Sequence, residues 1–197
     1  MGIIAFTRPL VLATASEARR ALIKATGIAH TTQIVQIEET PFPGEPVTSY
    51  VERLARTKAL AAISSAPNAV IVAVDTAIGF NNTIIGKPRD EKHAREILTT
   101  LSGKTHEVVS AIAVRDLMTA QCEAEITRTE VDFAPLSTST IAWYLESGEW
   151  KNRAGAYAIQ GKGAALISSV RGCFTNVIGI SIPVLLKMLT AVDVRAS

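Results

Sequence analysis

This sequence reads as an α/β protein. Apolar stretches suited to strands alternate with amphipathic helical stretches from the N-terminus onward. Capping and stop residues, among them Ser16, Gly27, Asp90 and Gly103, fall at the joints between them. Hydrophobic residues make up 48% of the 197 positions and charged residues 19%, ample for a sizeable core and too apolar for a disordered chain. The length suits one domain or two closely joined lobes. No repeat or linker cuts the chain, so residues 1–197 are expected to form a single unit.

Residues 9–14 (PLVLAT) form the first expected strand, a short buried run. Ser16 then caps a helix, EARRALIKAT, that Gly27 closes. A second strand is expected at 31–37 (TTQIVQI). Residues 38–46 (EETPFPGEP) hold three prolines and a glycine and can only be a stiff loop. A helix follows over 47–64. The continuous apolar run 69–74 (AVIVAV) predicts a strand covered on both faces and ending at Asp75. Asn81-Asn82 between AIGF and TIIG predicts a hairpin turn. Asp90 caps the helix EKHAREILTTL, which ends at Gly103. Two long strands, 105–116 and 121–133, come next. Ser137 or Ser139 opens a helix ending near Gly148, a strand is expected at 164–170, and a last helix starts at about Pro183.

Charge and cysteine usage narrow the function classes. Twenty basic and eighteen acidic residues leave +2, which argues against non-specific nucleic-acid binding. Cys122 and Cys173 are far apart, which excludes a disulfide scaffold and a cysteine zinc site. The longest uncharged stretches, 59–74 and 172–186, are too short for a membrane span and contain Pro67 and Pro183. PLVLATAS carries an ATA triplet, yet no basic segment precedes its short apolar run, so a signal peptide is not expected. A cytoplasmic protein with no membrane and no nucleic-acid partner is the expectation. GAYAIQGK has five residues between its glycines where a phosphate-binding P-loop has four, and isolated His30, His93 and His106 make no zinc motif.

Three features stand out against this background. The strand–turn–helix at LATASEARR offers unpaired helix N–H groups, the Thr14 and Ser16 hydroxyls, Arg19 and Arg20 to an anion. An ordinary capped helix with a solvated basic turn has the same sequence. Lys58 stands in the apolar stripe of its helix, seven residues after Val51 and four after Leu54. There it either snorkels outward or meets an anion. Asp75, at the carboxyl end of an expected central strand, is placed where open α/β sheets bind ligands, although a turn-capping role beside Thr76 is as compatible. Lys87 in GKPRD adds a cation on a turn, and Glu38-Glu39 an acidic pair. Cations with carboxylates suit phosphoryl chemistry, in which charge neutralisation and positioning do most of the catalysis.

The segments LATASEARRALI, EETPFPGE, YVERLARTKA, VDT, IIGKPRD, LSGKTHEV, ESGEWKNRAGAYAIQGKG and NVIGISIP follow one another in order between Pro9 and about Leu189. In this the chain resembles the Maf family of nucleoside triphosphate pyrophosphatases. The resemblance implies hydrolysis of a nucleoside triphosphate to monophosphate and pyrophosphate with Mg²⁺ or Mn²⁺, removing non-standard nucleotides. It implies a mixed, twisted β-sheet flanked by helices, two lobes around a central cleft, and a homodimer. It also implies that Asp75 activates water and, with Glu39, holds the metal, while Lys58 and Lys87 act on the triphosphate with Thr14, Ser16 and Arg19. Thr76 and Gln160 fall at positions that select the base and side with the dTTP/UTP branch. Ala18 departs both from the arginine of that branch and from the tryptophan of a 7-methyl-GTP branch. A non-catalytic, nucleotide-binding regulator of cell division or septum formation is the alternative from another class.

Overall fold

The computed structural model describes residues 6–195, so residues 1–5 and 196–197 of the expected unit lie outside the description. Strand β1 (Leu10–Ala13) leads into helix α1 (Glu17–Ala25), then β2 (Thr31–Gln33) and α2 (Val47–Ala61). Strand β3 (Val70–Phe80) turns into β4 (Thr83–Ile85), which is followed by α3 (Glu91–Leu101), β5 (Thr105–Asp116) and β6 (Cys122–Phe133). The chain ends with α4 (Thr138–Glu146), β7 (Ile167–Arg171), α5 (Phe174–Ile178) and α6 (Ile182–Arg195).

The strands make one mixed sheet of seven, in the order β2-β1-β3-β5-β6-β7, with β4 paired to the far end of β3. Only the pairs of β1 with β2 and β3 are parallel; the rest are antiparallel. No described helix is long and apolar enough to cross a membrane.

Alternation along β3 explains the layering. Val70, Val72 and Val74 pack with Ile23 of α1 and Leu185, Met188 and Leu189 of α6. Ile71, Ala73 and Ala77 turn to the other face and meet Val51, Ala55 and Ala59 of α2. Small residues on that face, Ala55 and Ala59 against Ala73, Ala111 and Ala113, let α2 lie close to the sheet. A third cluster, around Ile78, Leu98, Phe133, Tyr144 and Tyr157, forms the core beyond the end of β1.

Several expectations are corrected. The strand expected over 31–37 stops at Gln33, because its neighbour β1 ends at Ala13 and the Gln33 carbonyl takes its last bond from the Thr14 N–H, 3.0 Å. The helix from Val47 ends at Ala61 rather than at 64. The strand expected from 164 begins at Ile167, since residues Gly161–Leu166 wind into a 3₁₀ segment first. A Cβ on Gly163 would stand 1.9 Å from the Ala158 carbonyl oxygen, so only glycine fits that winding. Helix α5 was not expected at all. Asn81 and Asn82 adopt φ of 49° and 58°, the left-handed pair that a two-residue hairpin turn requires. Ser137, not Ser139, caps α4.

The largest correction concerns Asp75. The strand does not end with the apolar run: β3 has 11 residues and continues to Phe80. Antiparallel pairing with β5 runs from Val70 to Gly79 and carries the strand onward. On its other edge, pairing with β1 stops at Ala73 and pairing with β4 starts only at Ile78. Residues 74–77 therefore form a window in the sheet, paired to β5 on one edge and with no described strand beside them on the other.

Candidate active site

Asp75 stands in that window and, by alternation, on the face shared by Ile71, Ala73 and Ala77. Lys58 reaches it from α2. Its position in the buried stripe with Val51, Leu54, Ala55 and Ala59 brings its ammonium against the sheet rather than to solvent. Lys58 Nζ donates to Asp75 Oδ1 at 2.6 Å and to Glu39 Oε1 at 2.6 Å. Asp75 is 7% exposed and Lys58 9%, so snorkelling is ruled out as the account of this lysine. Glu39 comes from the proline-rich loop, and Lys87 Nζ donates to its second oxygen at 3.3 Å. Both lysines thus converge on one carboxylate.

The start of α1 forms another wall. Ser16 caps the helix, its hydroxyl accepting from the Arg19 N–H at 3.4 Å, and Thr14 Oγ1 accepts from the Ser16 N–H at 3.1 Å. The Arg19 side chain is turned into the sheet window. It donates to the Val74 carbonyl at 3.0 Å, the Gly179 carbonyl at 2.8 Å and Thr76 Oγ1 at 2.8 Å. The Val74 carbonyl faces the edge where no strand stands, so Arg19 supplies the missing donor. The Thr76 hydroxyl is also within 2.8 Å of Ser110 Oγ and 3.1 Å of the Gly179 carbonyl. Three of the five Arg19 N–H groups are thus taken up by acceptors of the protein.

These walls enclose a cleft of about 1200 Å³. Thr14, Ser16, Ala18, Arg19, Glu39, Lys58, Asp75, Thr76, Lys87 and Gln160 all line it, as does Glu38, whereas Arg20 does not: its guanidinium turns back to the Ala15 carbonyl at 3.2 Å. Gln160 is exposed on the far wall, where Arg89, Lys151 and Arg153 also face the cleft. Sequence reasoning passed over these three, as it did Tyr50. The only signal was their place inside the IIGKPRD, ESGEWKNRAGAYAIQGKG and YVERLARTKA segments.

Electrostatics separate the two carboxyls. Burial pushes Asp75 above the ordinary carboxylate range, against the pull of Lys58 and Arg19. Burial also works to raise Glu39, but Lys58 and Lys87 overcome it and hold Glu39 below its usual value. Tyr50, half-buried and near Asp75 and Glu39, is pushed up to about 12 by its partial burial and by those two charges, and stays a hydrogen-bond donor. The described residues contain no group of three or more His, Cys, Asp or Glu able to hold a metal. Asp75 and Glu39 are instead a pair of hard oxygen donors. That donor set fits Mg²⁺ or Mn²⁺ bound through one or two carboxylates, with water and a ligand's phosphates completing the shell.

Fold and site together define an α/β protein whose mixed sheet opens, in mid-strand, into a cleft where the carboxylates of Asp75 and Glu39 meet a set of cations. The chain belongs to the family of Maf-like proteins, which it matches over residues 9–192. A relative from Myxococcus xanthus (strain DK1622), named dTTP/UTP pyrophosphatase, is 44% identical over 171 residues, 87% of this chain and 86% of the relative. Proteins of the same name from Syntrophomonas wolfei and Latilactobacillus sakei are 39% and 40% identical, covering 90% and 91% of this chain and 94% and 98% of theirs. Among solved structures, a HAM1 protein from Coxiella burnetii superposes with a TM-score of 0.52 over 94% of this chain and 100% of its own. At 16% identity that likeness speaks for the fold alone.

Proposed function

We propose that this protein is a nucleoside triphosphate pyrophosphatase acting on dTTP and UTP, releasing the monophosphate and pyrophosphate from this cleft. The observation that carries the reading is the Lys58 bridge between Asp75 and Glu39 in the sheet window, with Lys87 on the same carboxylate. A buried carboxylate facing an open cleft supports a general base. Asp75 keeps Oδ2 free of protein partners among the described residues, and a carboxyl with a raised pKa binds a proton more strongly. In this reading Asp75 takes the proton of a water that attacks the α-phosphorus. Lys58 and Lys87 then meet the charge that grows on the equatorial oxygens and on the leaving pyrophosphate.

Thr14, Ser16 and the N–H groups that open α1 hold further phosphate oxygens, and the positive charge of Arg19 adds to their hold. Gln160, with both donor and acceptor, reads the edge of the base across the cleft. Arg19 holds the Thr76 hydroxyl in place, so Thr76 selects the base through the wall it builds. Ala18 widens that wall where an arginine would stand. Asp75 and Glu39 would hold a divalent metal, which would supply a lowered pKa to water and neutralise phosphate charge. Residues 1–197 acting as one two-lobed unit, a cytoplasmic homodimer and a role in clearing non-standard nucleotides complete the proposal, on the strength of the family resemblance.

The test is a panel of canonical and modified triphosphates with Mg²⁺ or Mn²⁺, followed by pyrophosphate release. Turnover of dTTP and UTP above the other nucleotides is expected, falling by about 10²–10⁴-fold in Asp75→Asn, as for loss of a general base. Tight nucleotide binding without turnover would favour the regulator of cell division instead.

A further inference from the structure

Glu39 sits on a segment with no regular structure. No helix or strand lies between Gln33 and Val47, and its side chain is 40% exposed. A carboxylate that must keep its place next to a metal and two lysines needs support from elsewhere. That support comes from one face of α2, three residues apart in sequence. The Tyr50 hydroxyl donates to the Glu39 carbonyl at 2.8 Å. Arg53 makes a two-pronged pair with Glu45, Nε to Oε1 at 2.7 Å and Nη2 to Oε2 at 2.7 Å, and also donates to the Thr40 carbonyl at 3.2 Å.

Glu45 in turn accepts from the Phe42 N–H at 3.0 Å, and the Phe42 ring lies 4.1 Å from the centre of the Arg53 guanidinium. The Glu45 side chain is 7% exposed although it belongs to a surface loop. The prolines limit the loop's own freedom, and the fork on Arg53 closes it against the helix.

We propose that Tyr50 and Arg53, the latter through Glu45 and Phe42, are positioning residues that hold the loop so that Glu39 presents its carboxylate to the metal and to Lys58. This rests on the pyrophosphatase reading for the role of Glu39, and neither residue touches the reacting atoms. The clamp also makes this wall of the cleft a preformed surface instead of a moving lid. Arginine is needed at 53, because a lysine cannot form the parallel pair of bonds or lie flat on Phe42.

The experiment compares wild type with Tyr50→Phe, which removes one hydroxyl, and Arg53→Met, which removes the fork and keeps the stem. Mn²⁺ is titrated calorimetrically into each protein with a non-hydrolysable α,β-methylene dTTP analogue present. The Mn²⁺ affinity should fall about tenfold or more in Arg53→Met and about threefold to tenfold in Tyr50→Phe, the range seen when a ligand's supporting residues are lost. Metal-free affinity for the analogue should stay within about twofold, as expected where the nucleotide contacts are left intact. A Glu-specific protease should cut after Glu38 or Glu39 about tenfold faster in Arg53→Met, reporting local opening of the loop.

Unchanged Mn²⁺ affinity in both variants would overturn the proposal. So would a loss of metal affinity matched by an equal loss of nucleotide affinity and a lower melting temperature in Tyr50→Phe. A wild-type protein that turns over no triphosphate would defeat the pyrophosphatase reading, while the calorimetric and protease arms would still decide on the clamp. Should Arg53→Met not fold, Tyr50→Phe decides alone.

Discussion

Asp75 and Lys58 illustrate how one pair of residues gains meaning only in combination. A carboxylate that is nine-tenths hidden is costly unless a cation shares its environment, and a lysine on an apolar helix face is costly for the same reason. Each offsets the other, and Glu39 adds a second carboxylate so that the ammonium is held between two anions. Activity should depend on the deprotonated form of Asp75. In the metal-free protein its pKa is raised, so the carboxyl should titrate there above the ordinary aspartate value near 3.8. Carboxyl-carbon NMR of the metal-free protein, with the signal assigned by Asp75→Asn, checks this, and a titration at or below the ordinary value would contradict the burial argument. Both oddities were visible in the sequence as a charge in the wrong place. That they answer each other was not, because 17 positions separate them along the chain.

At the scale of elements, the short helix α5 does more than its length suggests. Asn176 is wholly buried, and its amide group donates to the Val108 carbonyl at 3.0 Å and to Thr129 Oγ1 at 3.1 Å, across strands β5 and β6. That anchor fixes the turn at Gly179, whose carbonyl receives both Arg19 and Thr76. A buried asparagine therefore ties the rear of the sheet to the wall of the cleft. Asn176→Ala would leave the Val108 carbonyl short of a donor and should cost about 2 kcal/mol, the usual penalty for a buried polar group left unpaired. For a chain of this size that is a fall in Tm of about 4–8 °C. Scanning calorimetry measures it, and a change of less than a degree would show that α5 holds its place by packing alone. The NVIGISIP segment marked this region in sequence, but five residues of helix are too few for periodicity to reveal.

For the molecule as a whole, the core beyond β1 contains a titratable group that acid should find. His106 is buried between Phe133 and Tyr157, with the Tyr157 hydroxyl 2.8 Å from Nε2 and, among the described residues, no partner at Nδ1. Burial pushes its pKa down from 6.5 to about 4. The unfolded chain takes up this proton below pH 6.5, whereas the native protein resists until about pH 4. Stability should therefore decline as pH falls across that window and level off below it, by up to about 3 kcal/mol at 1.36 kcal/mol per pKa unit. Urea unfolding midpoints at pH 7 and pH 4.5 test this, and His106→Gln should flatten the difference. A wild-type midpoint that does not move would mean that the histidine is protonated in the native state.

The sequence by itself determined most of the element list, ten of the residues that line the cleft, and the family to which the chain belongs. Local signals suffice for these: caps, proline-rich turns, apolar periodicity and a string of short segments in fixed order. Only the tertiary structure decided where Asp75 stands. The apolar pattern of β3 changes at that residue because one edge loses its neighbour, and a single strand's sequence cannot tell a lost neighbour from an ended strand. Arg19 stands out in the sequence for its charge, and folding turned one of its N–H groups to the Val74 carbonyl that the missing strand left open and two more to the Gly179 carbonyl and the Thr76 hydroxyl. The clamp on Glu39 escaped notice for the same reason. Tyr50, Arg53 and Glu45 look like ordinary polar residues until the chain's return brings loop and helix face together.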